Sequence, residues 1–285
     1  MSDRLKVKTN TTLLPFLFEE LQGWSRSTVK QRLKSGCVHV NGEPITHHSF
    51  ELLPNDQVNV EAAPRGPSNA RPQIDILYED HDLVAINKPA GLLSVGSGED
   101  SELHALGILR AQLGRSNHSI KLWPVNRIDR ATSGVMLFAL SKEVREAVMD
   151  NWDEAEKTYL AIVEGRPEPE QATIDQPLRL DSTIYQMHVG EHPDAKHAVT
   201  HFTTERSVGR RTLLRVKLET GRQHQIRAHL AWLGHPVVGD QRYGKAGEQM
   251  GLHALQLCVV KPGTEQLLTF ETPAPAEFWA LLESR

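Results

Sequence analysis

One aspartate with an arginine on either side is the grouping in this chain that is best suited to chemistry. Asp129 lies between Arg127 and Arg130, and nearby positive charge favours the ionised form of a carboxylate. An ionised carboxylate held in a fixed position is a candidate nucleophile. A cluster of this kind on a loop is more often a structural ion-pair network than a catalytic site. The residues around it are needed to choose between these two interpretations.

The segments that follow Asp129 predict where the cluster sits. Val135 to Leu140 is a short apolar run, which predicts a buried strand, with a buried helix as the alternative that periodicity alone allows. Thr132 to Gly134 supplies turn-forming residues directly before this run. We therefore expect Arg127, Asp129 and Arg130 on a loop at the mouth of a core strand.

The stretch from Arg127 to Gly134 resembles the Arg-Leu-Asp-x-x-Thr-Ser-Gly signature of the RluA-type family of RNA pseudouridine synthases. The resemblance implies that Asp129 is the catalytic residue. Two positions differ from the usual pattern, because Asn126 replaces a His and Ile128 replaces a Leu. The second change is conservative, and the first leaves position 126 without an assigned role.

Two further stretches resemble motifs of the same family. Lys157, Tyr159 and Ala161 fit its Lys-x-Tyr-x-Ala pattern on a predicted strand. A tyrosine in a strand is usually packed in the core, but the resemblance implies that Tyr159 lies against the target uracil and helps to remove a proton. The stretch Tyr78 to Leu92 resembles the first motif, which shapes the active-site cleft; within it, Lys88 is expected to be an exposed lysine at a strand end.

The stretch Gly221 to Arg227 matches the third motif of the family. The resemblance implies that Arg227 pairs with the catalytic Asp129, and a buried arginine does need a carboxylate partner. Arg222 and His224 are predicted to hold phosphate. The apolar spacing also predicts a helix over residues 223–233 that ends at a glycine.

Residues 12–62 predict a small α/β unit with its own RNA-binding surface. Ser25 or Ser27 can cap a helix whose core side has Val29 and Leu33, and Asn41-Gly42 predicts a hairpin. The pattern is similar to the RNA-binding module first seen in ribosomal small-subunit protein S-four. The alternative is that its basic residues only solvate a helix face. The RNA-binding candidates in this unit are Arg26, Lys30, Arg32 and Lys34.

Residues 63–73 have the composition of a linker, since prolines stiffen the segment and little in it can pack. We therefore expect a second domain over residues 74–285. The resemblance implies an α+β fold for it, built on a mixed, largely antiparallel sheet with flanking helices.

The overall composition limits the classes of partner. The net charge of −4 excludes a uniformly basic nucleic-acid binder, but local basic patches suffice for binding phosphates. One patch spans residues 24–41 and another residues 206–230.

The chain has no long apolar run and no signal-type N-terminus, so we expect a cytoplasmic protein without a membrane partner. We also expect a monomer. Irregularly spaced histidines between His188 and His201 make a metal site improbable, and no nucleotide-cofactor motif is visible.

The resemblance to the RluA-type family implies an RNA pseudouridine synthase, and we expect it to need no cofactor or metal. Such an enzyme breaks the bond between ribose and the uracil nitrogen, turns the base and rejoins it through carbon 5. Asp129 could add to the ribose, add to the base or abstract a sugar proton, and the sequence does not choose among these routes. Structured RNA is the expected substrate, with large-subunit ribosomal RNA ahead of transfer RNA. The alternatives are a non-catalytic RNA-binding or ribosome-assembly protein, and a glycoside hydrolase, which would need a second carboxylate.

Overall fold

The computed structural model describes residues 3–61, 72–96, 103–114 and 120–283. It divides into two compact units, Met1–Arg71 and Pro72–Arg285. The predicted linker at 63–73 lies largely outside the described residues, as does the side chain of Lys34. The domain bounds 12–62 and 74–285 stay predictions.

The first unit has two helices beside small antiparallel sheets. A four-stranded sheet has the order β1-β6-β3-β4, and β2 pairs with β5. Its elements are β1 Asp3–Lys6, β2 Thr11–Thr12, α1 Leu13–Glu20, α2 Arg26–Lys34, β3 Val38–Val40, β4 Glu43–Pro44, β5 Glu51–Leu52 and β6 Gln57–Val60.

Local sequence signals account for this unit. The Oγ of Ser25 accepts a hydrogen bond from the backbone N of Thr28 at 3.1 Å and so caps α2. Val29 and Leu33 are buried one turn apart. Asn41-Gly42 has φ angles of 52° and 93°, which are those that a tight two-residue hairpin requires. The predictions of the capped helix, its core face and the hairpin are confirmed.

The second unit is built on a ten-stranded sheet. Its main path has the order β12-β15-β16-β11-β17-β10-β8-β7, with β18 beside β17 and β9 beside β10. Its elements are β7 Asp75–Glu79, β8 Leu83–Lys88, α3 Ala105–Leu113, β9 Trp123–Pro124, β10 Ser133–Ala139, α4 Lys142–Asp150, a 3-10 turn Trp152–Glu154, β11 Glu156–Glu164, β12 Gln171–Asp175, β13 Leu178–Asp181, β14 Gln186–Val189, β15 Val199–Val208, β16 Arg211–Leu218, α5 Gln225–Trp232, β17 Leu252–Val260, β18 Leu267–Glu271 and α6 Ala276–Glu283.

The strand pairings of this sheet confirm the predicted fold class. β10 and β17 run parallel, and the other pairs in the sheet are antiparallel. The hairpin β13–β14 stands outside this sheet as a separate pair. The result is an α+β unit with a mixed, largely antiparallel sheet.

Strand β10 lies inside the sheet, between β17 and β8, and carries the predicted apolar run. All seven of its residues are buried. It begins at Ser133, so the turn predicted over Thr132 to Gly134 is shorter than expected. Gly134 has a φ of 117°, and a Cβ there would collide with the backbone carbonyl of Ala254 on β17. The close parallel pairing of β10 and β17 therefore requires glycine at this position.

Within the described ranges, the helices are all too short or too polar to cross a membrane. The same residues contain no cluster of three or more histidine, cysteine, aspartate or glutamate side chains placed to hold a metal ion.

Candidate active site

Asp129 lies on the loop between β9 and β10, and neighbouring backbone contacts fix the loop on both sides of it. On one side, the Oγ of Ser94 donates to the carbonyl of Ile128 at 2.6 Å and accepts from its N at 3.2 Å. On the other side, the carbonyl of Arg130 accepts from the backbone N of Gly91 at 2.8 Å. The carboxylate is thus presented by a backbone that is held before any substrate arrives.

Lys88 supports this loop from beneath, contrary to the expectation of an exposed lysine. Its side chain is fully buried at the end of β8. Its Nζ donates to the carbonyls of Pro89, Leu92 and Arg130 at 2.9, 2.7 and 3.3 Å, which uses the three donors of an ammonium group. Burial lowers the pKa of Lys88 to about 7, and the negative charge of Asp129 opposes that shift. The residue therefore ties the first-motif segment to the Asp129 loop.

Replacing Lys88 with methionine is expected to destabilise the fold and disturb the site together. The change keeps the side chain's approximate volume but leaves three carbonyls without their donor, which should cost about 2–4 kcal/mol. Chemical denaturation should show a lower midpoint, and turnover should fall more than RNA affinity because the loop shifts. Lys142→Met is a matched control, since the side chain of Lys142 is 66% exposed and forms a surface ion pair with Glu146 one turn away. Unchanged unfolding and turnover in Lys88→Met would contradict the supporting role.

Asn126, the position at which the chain departs from the family signature, forms a hydrogen bond that holds the loop. Its Oδ1 accepts a hydrogen bond from the backbone N of Leu137 at 2.8 Å, while the N of Val125 donates to the carbonyl of Leu137 at 2.9 Å. Asn126 therefore anchors the start of the loop to the middle of β10.

Arg227 joins Asp129 to a second, buried carboxylate. Its Nη1 donates to Oδ2 of Asp129 at 2.7 Å, and its Nε and Nη2 donate to the two oxygens of Asp240 at 2.7 and 2.8 Å. Burial works to lower the pKa of Arg227, but hydrogen bonds and charge from both carboxylates raise it by more, so its net pKa is raised. Burial also tends to raise the pKa of Asp240, and the bidentate contact with Arg227 overcomes this and lowers it.

The chain's entry into α5 places Arg227 in this position. The helix predicted over 223–233 begins at Gln225, because His224 adopts a left-handed conformation with a φ of 50°. The side chain of Gln225 accepts hydrogen bonds from the N of Arg222 and the Oγ1 of Thr220, both at 2.9 Å. This turn orients the first turn of α5 so that Arg227 points at Asp129, as the resemblance implied.

Tyr159 lines the same cleft as Asp129. It lies on β11 where the register against β17 shifts between Thr158 and Tyr159, and such bulges re-aim side chains next to active sites. Burial raises the pKa of Tyr159 to about 12, with a further contribution from the charge of Asp129. Its hydroxyl therefore keeps its proton at neutral pH.

These groups share a cleft of about 1500 Å³. Arg127, Arg130 and Arg222 line it and are exposed. The Nε of Arg130 donates to the carbonyl of Gly91 at 3.0 Å, and that of Arg222 to the carbonyl of His197 at 2.9 Å. Arg227 is thus a direct guanidinium partner of Asp129, as the resemblance implied.

His224 faces the floor of the cleft. Its side chain is 8% exposed, and its Nε2 lies 3.8 Å from Oδ2 of Asp129. This burial argues against the phosphate contact predicted for His224, because a phosphate needs an imidazole that reaches the rim.

Residues 82–232 match the family described as RNA pseudouridylate synthase, and residues 13–58 match the S4 domain. The chain belongs to the RNA pseudouridine synthase family. It is therefore an isomerase that acts on RNA, with an S4 RNA-binding domain at its N-terminus.

Relatives in several bacteria support this assignment. The chain is 32% identical over 281 residues to the uncharacterized RNA pseudouridine synthase YlyB of Bacillus subtilis, covering 94% of this chain and 92% of the relative. It is 29% identical over 290 residues to the ribosomal large subunit pseudouridine synthase D of Pasteurella multocida, covering 94% and 89%. Among solved structures, human RNA pseudouridylate synthase domain containing 4 aligns with a TM-score of 0.61 and 25% identity, covering 73% of this chain and 91% of that one.

In this pseudouridine synthase, three contributors to the site were missed from sequence. Ser94 and Lys88 contact Ile128 and Arg130 of the Asp129 loop from 34 and 42 residues away, and no local pattern signals such contacts. Asp240 lies 13 residues after Arg227, and its side chain is fully buried against that arginine. A second acceptor for Arg227 could have been expected from sequence, because a guanidinium has five N–H donors and a buried arginine needs more than one acceptor.

The basic residues of the S4 domain lie where the helix prediction put them. Arg26 and Lys30 are exposed on α2, and Arg32 is half-buried. The guanidinium of Arg26 lies 5.3 Å from the ring centre of Phe18, and that of Arg32 lies 5.9 Å from that of Trp24. Their contact with RNA stays a prediction.

Proposed function

We propose that this enzyme isomerises specific uridines of large-subunit ribosomal RNA to pseudouridine, with Asp129 as the catalytic carboxylate. The observation that carries the proposal is the contact of 2.7 Å between Arg227 and Asp129 at the floor of a cleft that Tyr159 also lines. The ribosomal substrate is supported by the name of the Pasteurella multocida relative. Transfer RNA is the second candidate.

The geometry supports a division of work among the three groups. Arg227 orients the carboxylate, Asp129 meets the nucleotide, and Tyr159 lies against the base. The reaction is an isomerisation in which one glycosidic bond breaks and a carbon–carbon bond forms, so it consumes no oxidant or cofactor. The buried Asp240 is committed to Arg227, which leaves it unsuited to be the second carboxylate of a glycoside hydrolase.

A uracil inside a stacked helix cannot reach this floor, so the substrate nucleotide has to be flipped or already looped out. Stacking on an aromatic ring such as Tyr159 contributes about 1–3 kcal/mol towards that cost. The exposed Arg127, Arg130 and Arg222 at the cleft, and the basic face of α2, would hold the phosphates with salt-dependent affinity.

Tyr159→Phe is expected to preserve RNA binding and lose most turnover. The ring and its stacking remain, while the hydroxyl that gives or receives a proton is removed. Single-turnover rates and dissociation constants measured on the same RNA would separate the two effects. Unchanged turnover would remove Tyr159 from the proton-transfer step and leave it as a stacking residue.

Mapping pseudouridines across total RNA would test the proposed substrate directly. Cells lacking the protein should lose signal at specific uridines of large-subunit ribosomal RNA, and the unaltered protein should restore it. The Asp129→Ala form should not restore it. Lost sites in transfer RNA would move the assignment to that class, and no lost site would favour a non-catalytic role in RNA binding or ribosome assembly.

A cytoplasmic location follows from the proposed ribosomal substrate and is part of the same proposal. The expectation of a monomer likewise stays a proposal.

A further inference from the structure

His224 lies between the carboxylate of Asp129 and the hydroxyl of Tyr243. Its Nε2 is 3.8 Å from Oδ2 of Asp129, and its Nδ1 is 3.1 Å from the Oη of Tyr243. The two ring nitrogens therefore face two different groups, and the imidazole connects a half-buried tyrosine to the reactive carboxylate.

The hydrogen bonds around Tyr243 set the direction of this connection. The backbone N of Met187 donates to the Oη of Tyr243 at 2.7 Å, so the hydroxyl proton of Tyr243 is available to donate to Nδ1 of His224. A neutral imidazole that accepts at Nδ1 carries its proton on Nε2. That N–H then faces Oδ2 of Asp129.

Packing holds the imidazole in this orientation. The rings of Tyr185 and Tyr243 meet it edge-on at centroid distances of 6.4 and 5.7 Å. The left-handed backbone at His224 is uncommon for a residue other than glycine and is maintained by surrounding contacts. Tyr243 is itself fixed by a backbone hydrogen bond of 3.2 Å to Oδ1 of Asp240, so the pair belongs to the same network as Arg227.

We propose that Tyr243 and His224 form a positioning pair that directs an imidazole N–H at Oδ2 of Asp129, as a second donor beside Arg227. This inference rests on the proposed catalytic role of Asp129. At 3.8 Å the contact is longer than a hydrogen bond, and such contacts between catalytic groups commonly shorten when the substrate binds.

The charges that face His224 are consistent with a neutral imidazole. Burial lowers its pKa, and Arg227 and Arg242 act in the same direction, while Asp129 and Asp240 oppose them. The net pKa is lowered, so the ring is neutral at neutral pH and its single proton is placed by the donor hydroxyl of Tyr243.

Single-turnover kinetics would separate positioning from phosphate binding. At saturating RNA, His224→Leu is expected to lower the rate about a hundredfold, in the range for losing one donor to a reacting charge, with the dissociation constant for RNA changed less than about twofold. His224→Gln can supply an amide N–H in place of Nε2–H and should recover to within about tenfold of the original rate. A weaker affinity with an unchanged rate would overturn the proposal in favour of a phosphate contact.

The matched control is His201→Leu. His201 also has a carboxylate partner, since its Nε2 lies 2.6 Å from Oε1 of Glu219, but it is on the surface of β15 and does not line the cleft. Its rate and affinity should stay unchanged. Thermal unfolding of each variant shows whether a lost rate reflects lost folding, and equal losses in the Leu and Gln variants with intact folding would count against the proposal.

Tyr243→Phe tests the second member of the pair. We expect a rate loss of about tenfold, with no further loss when it is combined with His224→Leu, because the hydroxyl acts only through the imidazole. A rate loss in the double variant equal to the product of the two single losses would show that Tyr243 acts independently of His224, and would overturn the pairing.

Nitrogen-15 NMR of the histidine side chains tests the pair without any RNA. In the full-length protein, His224, assigned by the signals lost in His224→Gln, should have an unprotonated Nδ1 and a protonated Nε2 near pH 7.5. Tyr243→Phe should give a mixture of tautomers. The opposite tautomer in the unaltered protein would overturn the inference even if the enzyme is active. Inactivity of the unaltered protein on every RNA, together with the expected tautomer, would instead count against the proposed function.

Discussion

Asp129→Asn is expected to abolish pseudouridine formation while folding and RNA binding stay near normal. Asparagine has the same shape as aspartate but lacks the charge, so it can neither add to the nucleotide nor take a proton. A loss of more than about a thousandfold, which corresponds to about 4 kcal/mol of barrier, is expected. Arg227 keeps its two hydrogen bonds to Asp240, so the buried arginine remains paired and the fold is preserved.

The measurement is the conversion of uridine in a substrate RNA under single-turnover conditions, together with RNA affinity and thermal unfolding. Asp194→Asn is the matched control, because Asp194 is 83% exposed and lies away from the cleft. Retained turnover in Asp129→Asn, or unfolding caused by this substitution, would count against the catalytic assignment.

Arg227→Met is expected to cause the largest loss of stability among single substitutions in the site. The change removes the partner of Asp240, whose side chain is fully buried. An unpaired buried charge of this kind costs about 3–5 kcal/mol. Turnover should be lost as well, since Asp129 loses the guanidinium that orients it. Urea unfolding gives the stability difference, and Arg227→Met combined with Asp240→Asn should recover part of it.

The pH dependence of this difference supplies an independent check. In the unaltered protein the pKa of Asp240 is lowered by Arg227, so its contribution to stability is present at neutral pH and is lost only as the pH falls through that low value. Without Arg227, burial should raise the pKa of Asp240. The cost of burying its unpaired charge should then disappear as the carboxylate is protonated at lower pH. The difference in free energy of unfolding between the unaltered protein and Arg227→Met should therefore become smaller as the pH falls from 7.5 to 5.

Arg215→Met is the control for this experiment. Arg215 and Glu205 form an ion pair with a distance of 2.5 Å, but both side chains are substantially exposed, at 44% and 30%. Exposed pairs contribute about 0–1 kcal/mol. A similar stability loss in Arg215→Met and Arg227→Met would show that the burial of Asp240 does not increase the cost of removing its partner.

The features that the sequence predicted correctly are encoded locally. The cap at Ser25, the hairpin at Asn41-Gly42 and the buried strand after Gly134 each depend on residues within a few positions of one another. Their backbone preferences and apolar spacing are readable without tertiary contacts. The pairing of Arg227 with Asp129 came from a resemblance, and its distance of 2.7 Å agrees with it.

The features that the sequence did not predict depend on distant segments. Lys88 appeared to be an ordinary surface lysine, because nothing near it in the chain shows that the carbonyl of Arg130, 42 residues later, would reach its Nζ. The start of α5 was placed two residues early, since the left-handed turn at His224 is stabilised by tertiary contacts with Tyr243 and by the side chain of Gln225. Spacing rules do not contain that information.

The triad of Asp240, Arg227 and Asp129 has a consequence for what can enter the cleft. Two carboxylates flank its one guanidinium, so anionic oxygens lie beside the site of reaction, while the exposed arginines at the cleft are positive. A phosphate is therefore favoured beside the exposed arginines, and an uncharged base with its sugar is favoured beside the carboxylates. This arrangement favours the orientation in which the nucleoside half of a nucleotide faces Asp129.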